Sequence, residues 1–129
     1  MTLSDRILRL AASAASAASA KKGEDTLVLE VGQILAITDA FVITSGANAR
    51  HVRTLAEAVE EGVSGDGGPK PLRIEGLDDA RWVLLDYGEF VVHVFLDETR
   101  RYYDLERLWS DAPRADWEAA LAARPAAGQ

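Results

Sequence analysis

Two apolar runs, 82–86 and 89–96, are separated only by Tyr87-Gly88, and no other stretch constrains the fold of this chain as tightly. Runs of this length, rich in Val, Leu, Phe and Trp and joined through a glycine, read as a β-hairpin. With Tyr87 and Gly88 as the turn, Asp86 opposes Glu89, Leu84 opposes Val91 and Trp82 opposes His93. Strand side chains alternate between faces. Trp82, Leu84, Asp86, Glu89, Val91, His93 and Phe95 therefore share one face, and Val83, Leu85, Phe90, Val92, Val94 and Leu96 share the other. The second face is wholly apolar and belongs against helices. The first mixes aromatic rings with carboxylates and an imidazole, a composition suited to an interface of anchors and polar rim. Either a partner or the chain's own first helix must cover it.

The rest of the chain supplies the elements that flank this hairpin. Ser4 is placed to cap a helix over 3–22, with Leu3 as staple and Ile7 and Leu10 on its inner face. The helix continues through AASAASAASA, strong in propensity but with little to bury, and ends at Lys21-Lys22-Gly23. Strands are expected at 26–31, 41–44 and 72–74, with an amphipathic helix over about 48–61 and a loop at 62–71. Strand–helix–strand over 41–74 implies a right-handed parallel crossover. The expectation is an α/β (α+β) domain with a mixed sheet of about five strands. A last helix over 100–109 would turn Tyr102, Leu105, Leu108 and Trp109 inward. The domain is expected over 1–112, followed by an Ala-rich tail, 113–129, in which Asp116 can cap a turn or two around Trp117 and Leu121.

Charge narrows the function. The chain carries 14 basic and 21 acidic residues, net −7. Residues 75–98 hold seven of the acids (Glu75, Asp78, Asp79, Asp86, Glu89, Asp97, Glu98) against Arg81 alone, which is −6 of the −7. Such a chain is a poor holder of nucleic-acid backbone and a good one for meeting a basic partner quickly. With no cysteine, disulfides, thiol catalysis and most structural zinc sites are excluded. No 18-residue apolar run exists to span a membrane, and a cytoplasmic location is expected.

The chemistry-bearing motifs are weak. Ser45-Gly46 before a helix offers a phosphate cradle, but a cap is the commoner use of such residues. A nucleotidyltransferase would follow this turn with Asp-x-Asp for two metals, whereas the next strand offers Arg73 and Glu75. His93 and Asp86 share a face as a general-base pair would, yet no nucleophile stands beside them. No catalysis, metal or cofactor is expected.

Thr-Asp-Ala-Phe-Val-Ile-Thr-Ser-Gly (38–46), Arg-His-Val-Arg (50–53), Glu-Gly (75–76) and Trp-Val-Leu-Leu-Asp-Tyr-Gly-Glu-Phe-Val-Val-His-Val-Phe (82–95) occur in order, closed by Arg101-x-Tyr103-x-Leu105-Glu106-x-Leu108-Trp109. This series, within residues 3–112, strongly resembles the ribosomal silencing factor family, RsfS or Iojap. The resemblance implies a fold related to nucleotidyltransferases without their activity. It implies binding to the universal fourteenth protein of the large ribosomal subunit, blocked subunit joining, and lowered translation under nutrient limitation. Organellar members act in large-subunit maturation, and self-association also occurs. Ala40 stands where the family usually has tyrosine, so this chain lacks that ring. The partner surface is expected on Trp82, Leu84, Asp86, His93 and Phe95, with Glu75, Asp78, Asp79 and Tyr87 at its rim. Two alternatives stay open: a maturation factor without silencing, and a degenerate nucleotidyltransferase or hydrolase using Asp86 and His93.

Overall fold

The computed structural model describes residues 4–123. Elements follow in the order α1 (Asp5–Ala20), β1 (Glu24–Glu30), β2 (Ala40–Gly46), α2 (Ala49–Gly65), β3 (Arg73–Glu75), β4 (Trp82–Asp86), β5 (Phe90–Leu96), α3 (Asp97–Tyr103), α4 (Leu105–Leu108), β6 (Arg114–Ala115) and α5 (Trp117–Ala123). Six strands form one mixed sheet, ordered β3-β4-β5-β2-β1-β6, in which only β2 and β5 pair in parallel. The mixed α/β class is as expected, with β6 as an added strand. The crossover through α2 carries the chain from β2 to the far edge of the sheet, and the β4–β5 hairpin then fills the gap.

The hairpin slips by two residues from the expected pairing. Trp82 opposes Phe95, Leu84 opposes His93 and Asp86 opposes Val91. The turn is Gly88-Glu89: Gly88 takes a left-handed φ of +80° and donates its N–H to the Asp86 carboxylate at 2.8 Å. Because the slip is even, every strand residue keeps its expected face. The exception is Tyr87, which joins the ladder and falls inward.

The wholly apolar face carries the main core. Val42, Val83, Leu85, Phe90, Val92 and Val94 pack beneath α1 and α2, which contribute Ile7, Leu10, Val52, Leu55 and Val59. Contrary to expectation, the alanines of α1 have much to bury. Ala11, Ala12, Ala14, Ala15 and Ala18 have no exposed surface. Their small size lets backbones approach closely: a Cβ on Gly62 of α2 would lie 2.6 Å from that of Ala17. Only glycine at 62 allows that approach, and α2 runs on through Gly65 to its cap at Asp66, past the expected end at Glu61. Ser4 caps α1 as expected, accepting from Ile7 N–H at 3.2 Å. The staple assigned to Leu3 lies outside the described residues, as do residues 124–129.

The second face is covered by the C-terminal helices, not by α1. Leu29, Val31, Phe41, Ile43 and Phe95 pack with Leu105 and Ala112, and with half-buried Leu35, Trp82, Val91 and Trp109. The helix expected over 100–109 breaks at Asp104, which adopts φ +50°. The break turns Leu105 inward and leaves Tyr102 (82% exposed) and Leu108 (71%) facing out. Nor is the chain beyond residue 112 a bare tail. Arg114–Ala115 pair with β1, Asp116 caps α5 by accepting from Ala119 N–H, and Trp117 donates its indole N–H to the Thr26 carbonyl.

One buried cation ties this second layer to the sheet. The guanidinium of Arg100 in α3 donates to the carbonyls of Glu24 (2.9 Å) and Asp25 (2.7 Å), to the Ser45 hydroxyl (3.1 Å) and to the Glu106 carboxylate (3.3 Å). Arg100→Leu removes all four bonds, leaving the Ser45 hydroxyl and the Glu24 carbonyl only the long 3.4 Å bond between them, and should cost about 3 kcal/mol. The melting temperature should fall by roughly 10 °C, which calorimetry checks.

Candidate functional site

The surface feature built on the second face is an open groove of about 620 Å³ between the 76–82 segment and α3. Gly76, Asp79, Arg81, Trp82, Glu98 and Tyr103 contribute to its walls. Each wall is fixed by backbone chemistry. Gly76 adopts φ +89°, and a Cβ there would collide with the Trp82 carbonyl, so only glycine fits the turn into β4. Arg53 of α2 holds the same segment by donating to the carbonyls of Leu77 (3.0 Å) and Asp78 (2.7 Å). Arg81 accepts at its carbonyl from Leu96 N–H, joining the segment to the start of α3.

The groove is aromatic at its base. Trp82 packs on Phe95 below and on Tyr103 at the rim, each with ring centroids 4.9 Å apart, and Tyr102 meets Tyr103 edge-on at 5.1 Å. Such ring pairs each contribute about 1 kcal/mol beyond area burial. Beneath them His93 accepts at Nδ1 from the indole Nε1–H of Trp82 at 3.1 Å and lies edge-on to Phe41. Burial pushes the His93 pKa down to about 4, so the ring is neutral at pH 7.

The residues expected at the partner surface divide in two. Trp82, Leu84, Asp86, Glu75, Asp78 and Asp79 are half-buried or exposed. His93, Phe95 and Tyr87 are interior. His93 and Phe95 are covered because α3, α4 and Leu35 close over that end of the sheet. Tyr87 turns to the main core because the hairpin turn begins one residue later, and it stacks on Phe90 at 4.6 Å. Burial, reinforced by Glu60, raises its phenol pKa to about 12. Glu98, Tyr102 and Tyr103 were missed as site residues. Glu98 lies in the acidic window, whereas helical periodicity points Tyr102 inward and Tyr103 stands out only as part of a motif.

Charge pairing also reshapes the acidic window. Arg73 on β3 reaches both Glu75 and Asp86, each at 3.3 Å; Arg6 pairs with Glu89, and Arg101 with Asp97. Among the described residues Asp78, Asp79 and Glu98 have no ion pair, and the last two line the groove. Arg81 stands in the same wall, so these three side chains leave the groove one net negative charge beside the aromatic rings.

The structure does not bring Asp86 and His93 together. Asp86 is held by Arg73 and the Gly88 N–H while His93 is spent on Trp82, so the two form no dyad. Ser45 is buried against Arg100, and the cap of α2 is Asn48, which accepts from His51 N–H at 2.8 Å. Among the described residues no group of three or more His, Asp or Glu is placed to hold a metal ion, and no helix is long and apolar enough to cross a membrane.

The fold and site define a small mixed α/β domain with an open groove walled by aromatic rings and by Asp79, Arg81 and Glu98. Its relatives make the class specific. Residues 4–129 match the family described as "Ribosomal silencing factor during starvation". The chain is 42% identical over 103 residues to the Ribosomal silencing factor RsfS of Bacillus subtilis, covering 80% of this chain and 86% of that one. It is 33% identical over 93 residues to the mouse Mitochondrial assembly of ribosomal large subunit protein 1, covering 70% of this chain and 40% of the mouse protein. A crystal structure of a Chromobacterium violaceum protein superposes with a TM-score of 0.74 at 32% identity, covering 78% of this chain and 83% of that one. The chain belongs to the ribosomal silencing factor family.

The neutral imidazole gives a pH prediction. A histidine whose folded pKa lies below its unfolded value loses stability as pH falls, because below about 6.5 the unfolded chain takes a proton that the fold refuses. Between pH 7 and pH 4 the loss due to His93 should reach about 3 kcal/mol. Urea unfolding across that range checks it, with a visibly shallower pH slope expected for His93→Phe.

Proposed function

We propose that this protein represses translation by binding the large ribosomal subunit through its universal fourteenth protein, on the surface where the small subunit would join. Occupying that surface blocks joining and lowers translation when nutrients are limiting. Family membership supports the ribosomal assignment. The groove supports the mode of contact: the carboxylates Asp79 and Glu98 outnumber Arg81 beside the Trp82 and Tyr103 rings and suit Lys and Arg side chains of a basic protein, through charge and cation–π attraction together. Leu84, Asp86 and Glu75 continue the surface along β4 and β3, with Asp78 at its rim. The action is one of steric occupation, without a chemical step and without a cofactor.

Co-sedimentation with purified subunits tests the proposal. The protein should pellet with large subunits and not with small ones, and saturating protein should suppress formation of joined ribosomes. Pelleting with neither subunit would sink it. The association rate with the isolated partner should fall as salt rises from low to physiological strength, since exposed carboxylates steer encounter. A rate independent of salt would remove the electrostatic part.

Trp82→Ala should weaken binding by about 2–4 kcal/mol, the range of a central aromatic anchor. It should also lower stability, because the indole is half-buried on Phe95; Val83→Ala, facing the main core, should lower stability by about 1–3 kcal/mol and leave binding unchanged. Titration of both variants against large subunits, paired with urea unfolding, separates the two roles.

The name of the mouse relative favours a second reading, in which the same contact serves large-subunit maturation. Cells lacking the protein would then accumulate immature large subunits during growth. Under the silencing reading they would show excess joined ribosomes on starvation.

A further inference from the structure

A histidine buried in mid-strand needs a reason, because taking an imidazole out of water costs free energy that a phenylalanine ring does not. His93 is 5% exposed at the centre of β5. Its ring packs edge-on to Phe41 at 4.6 Å and stacks toward Phe95 at 6.2 Å, contacts that a phenylalanine could supply. The one hydrogen bond it makes among the described residues is the one that phenylalanine could not: Nδ1 accepts the indole N–H of Trp82. Nε2 is buried without a partner.

The geometry of that bond follows from the strand register. Trp82 opposes Phe95 and Leu84 opposes His93, so Trp82 and His93 are diagonal neighbours across β4–β5, within reach of long side chains. An indole can only donate, so Nδ1 must carry the lone pair and the proton must sit on Nε2. The bond therefore exists only with a neutral ring in that tautomer. At its other end it fixes the indole that walls the groove and carries Tyr103 at the rim.

We infer that His93 is a positioning residue: by accepting the Trp82 indole N–H it locks the aromatic wall of the groove in the orientation that receives the partner, without touching the partner itself. This rests on the reading of the groove as the partner surface. A wall that holds its binding orientation only a fraction of the time weakens affinity by the reciprocal of that fraction. Loss of the bond that leaves the orientation populated about one-tenth of the time would cost about tenfold.

The test uses the full chain as wild type, as His93→Phe, and as His93→Asn, which keeps an acceptor oxygen at the δ position. Proton–nitrogen spectra report the Trp82 indole, assigned by its absence in Trp82→Phe. In His93→Phe the indole signal should move and exchange faster with solvent. The melting temperature should stay within about 3 °C, and affinity for large subunits should fall about tenfold. His93→Asn should recover part of both the signal and the affinity, which a merely structural role would not produce. An unmoved indole signal in His93→Phe, or full affinity once that signal has moved, would overturn the inference. Should both variants fail to fold, the scalar coupling across the Nε1–H···Nδ1 bond of labelled wild type decides: present, it supports the lock; absent, it refutes it. A wild type that does not bind large subunits refutes the partner assignment alone, since the indole signal is read on the isolated protein.

Discussion

The groove on the second face depends on where α3 sits, and α3 is held by the guanidinium of Arg100. A buried cation is a poor source of net stability but an exacting source of geometry, because its donors must meet specific acceptors. Here the acceptors lie on β1, on β2 and on α4. Satisfying them together leaves one position for α3, which brings Tyr103 against Trp82. It also places the start of α3 beside the 76–82 segment. The groove is the space left between these elements.

The groove's chemistry follows from what is already spent. Arg73 takes up Glu75 and Asp86, Arg6 takes up Glu89 and Arg101 takes up Asp97, so much of the acidic window is neutralised within the chain. Asp79 and Glu98 carry their charge into the groove beside the tyrosines. Ring faces and carboxylates each attract a partner's cationic side chain, which offsets part of the cost of taking it out of water.

Much of this was legible in the sequence where a short period governs the outcome. The two faces of the hairpin could be read correctly even with the turn misplaced, because a slip of two residues leaves alternation intact. The burial of His93 and Phe95 was not legible. It depends on the break at Asp104, and an aspartate in left-handed conformation looks in sequence like any other polar helix residue. The close seat of α1 was equally hidden. Alanine repeats state a helix propensity but not whether another backbone lies against them, and the matching Gly62 stands over forty residues away. Pairing of Arg73 with Asp86 across β3 and β4 needed the strand order, which local pattern does not contain.

The one parallel pairing in the sheet has a consequence for the order of assembly. β2 sits between β1 and β5, yet Ala40 meets Phe90 fifty residues further along the chain. As the chain leaves the ribosome that makes it, α1, β1, β2 and α2 emerge first, with one hydrogen-bonding edge of β2 open until the hairpin follows. Contacts of such long sequence separation slow folding, and an open strand edge is a site for wrong pairing in the meantime. Closing α1 and α2 over the apolar face early shields part of that surface while the chain waits for β5. In the folded chain the alanine-rich helix is a permanent layer over the apolar face that β2 and β5 share.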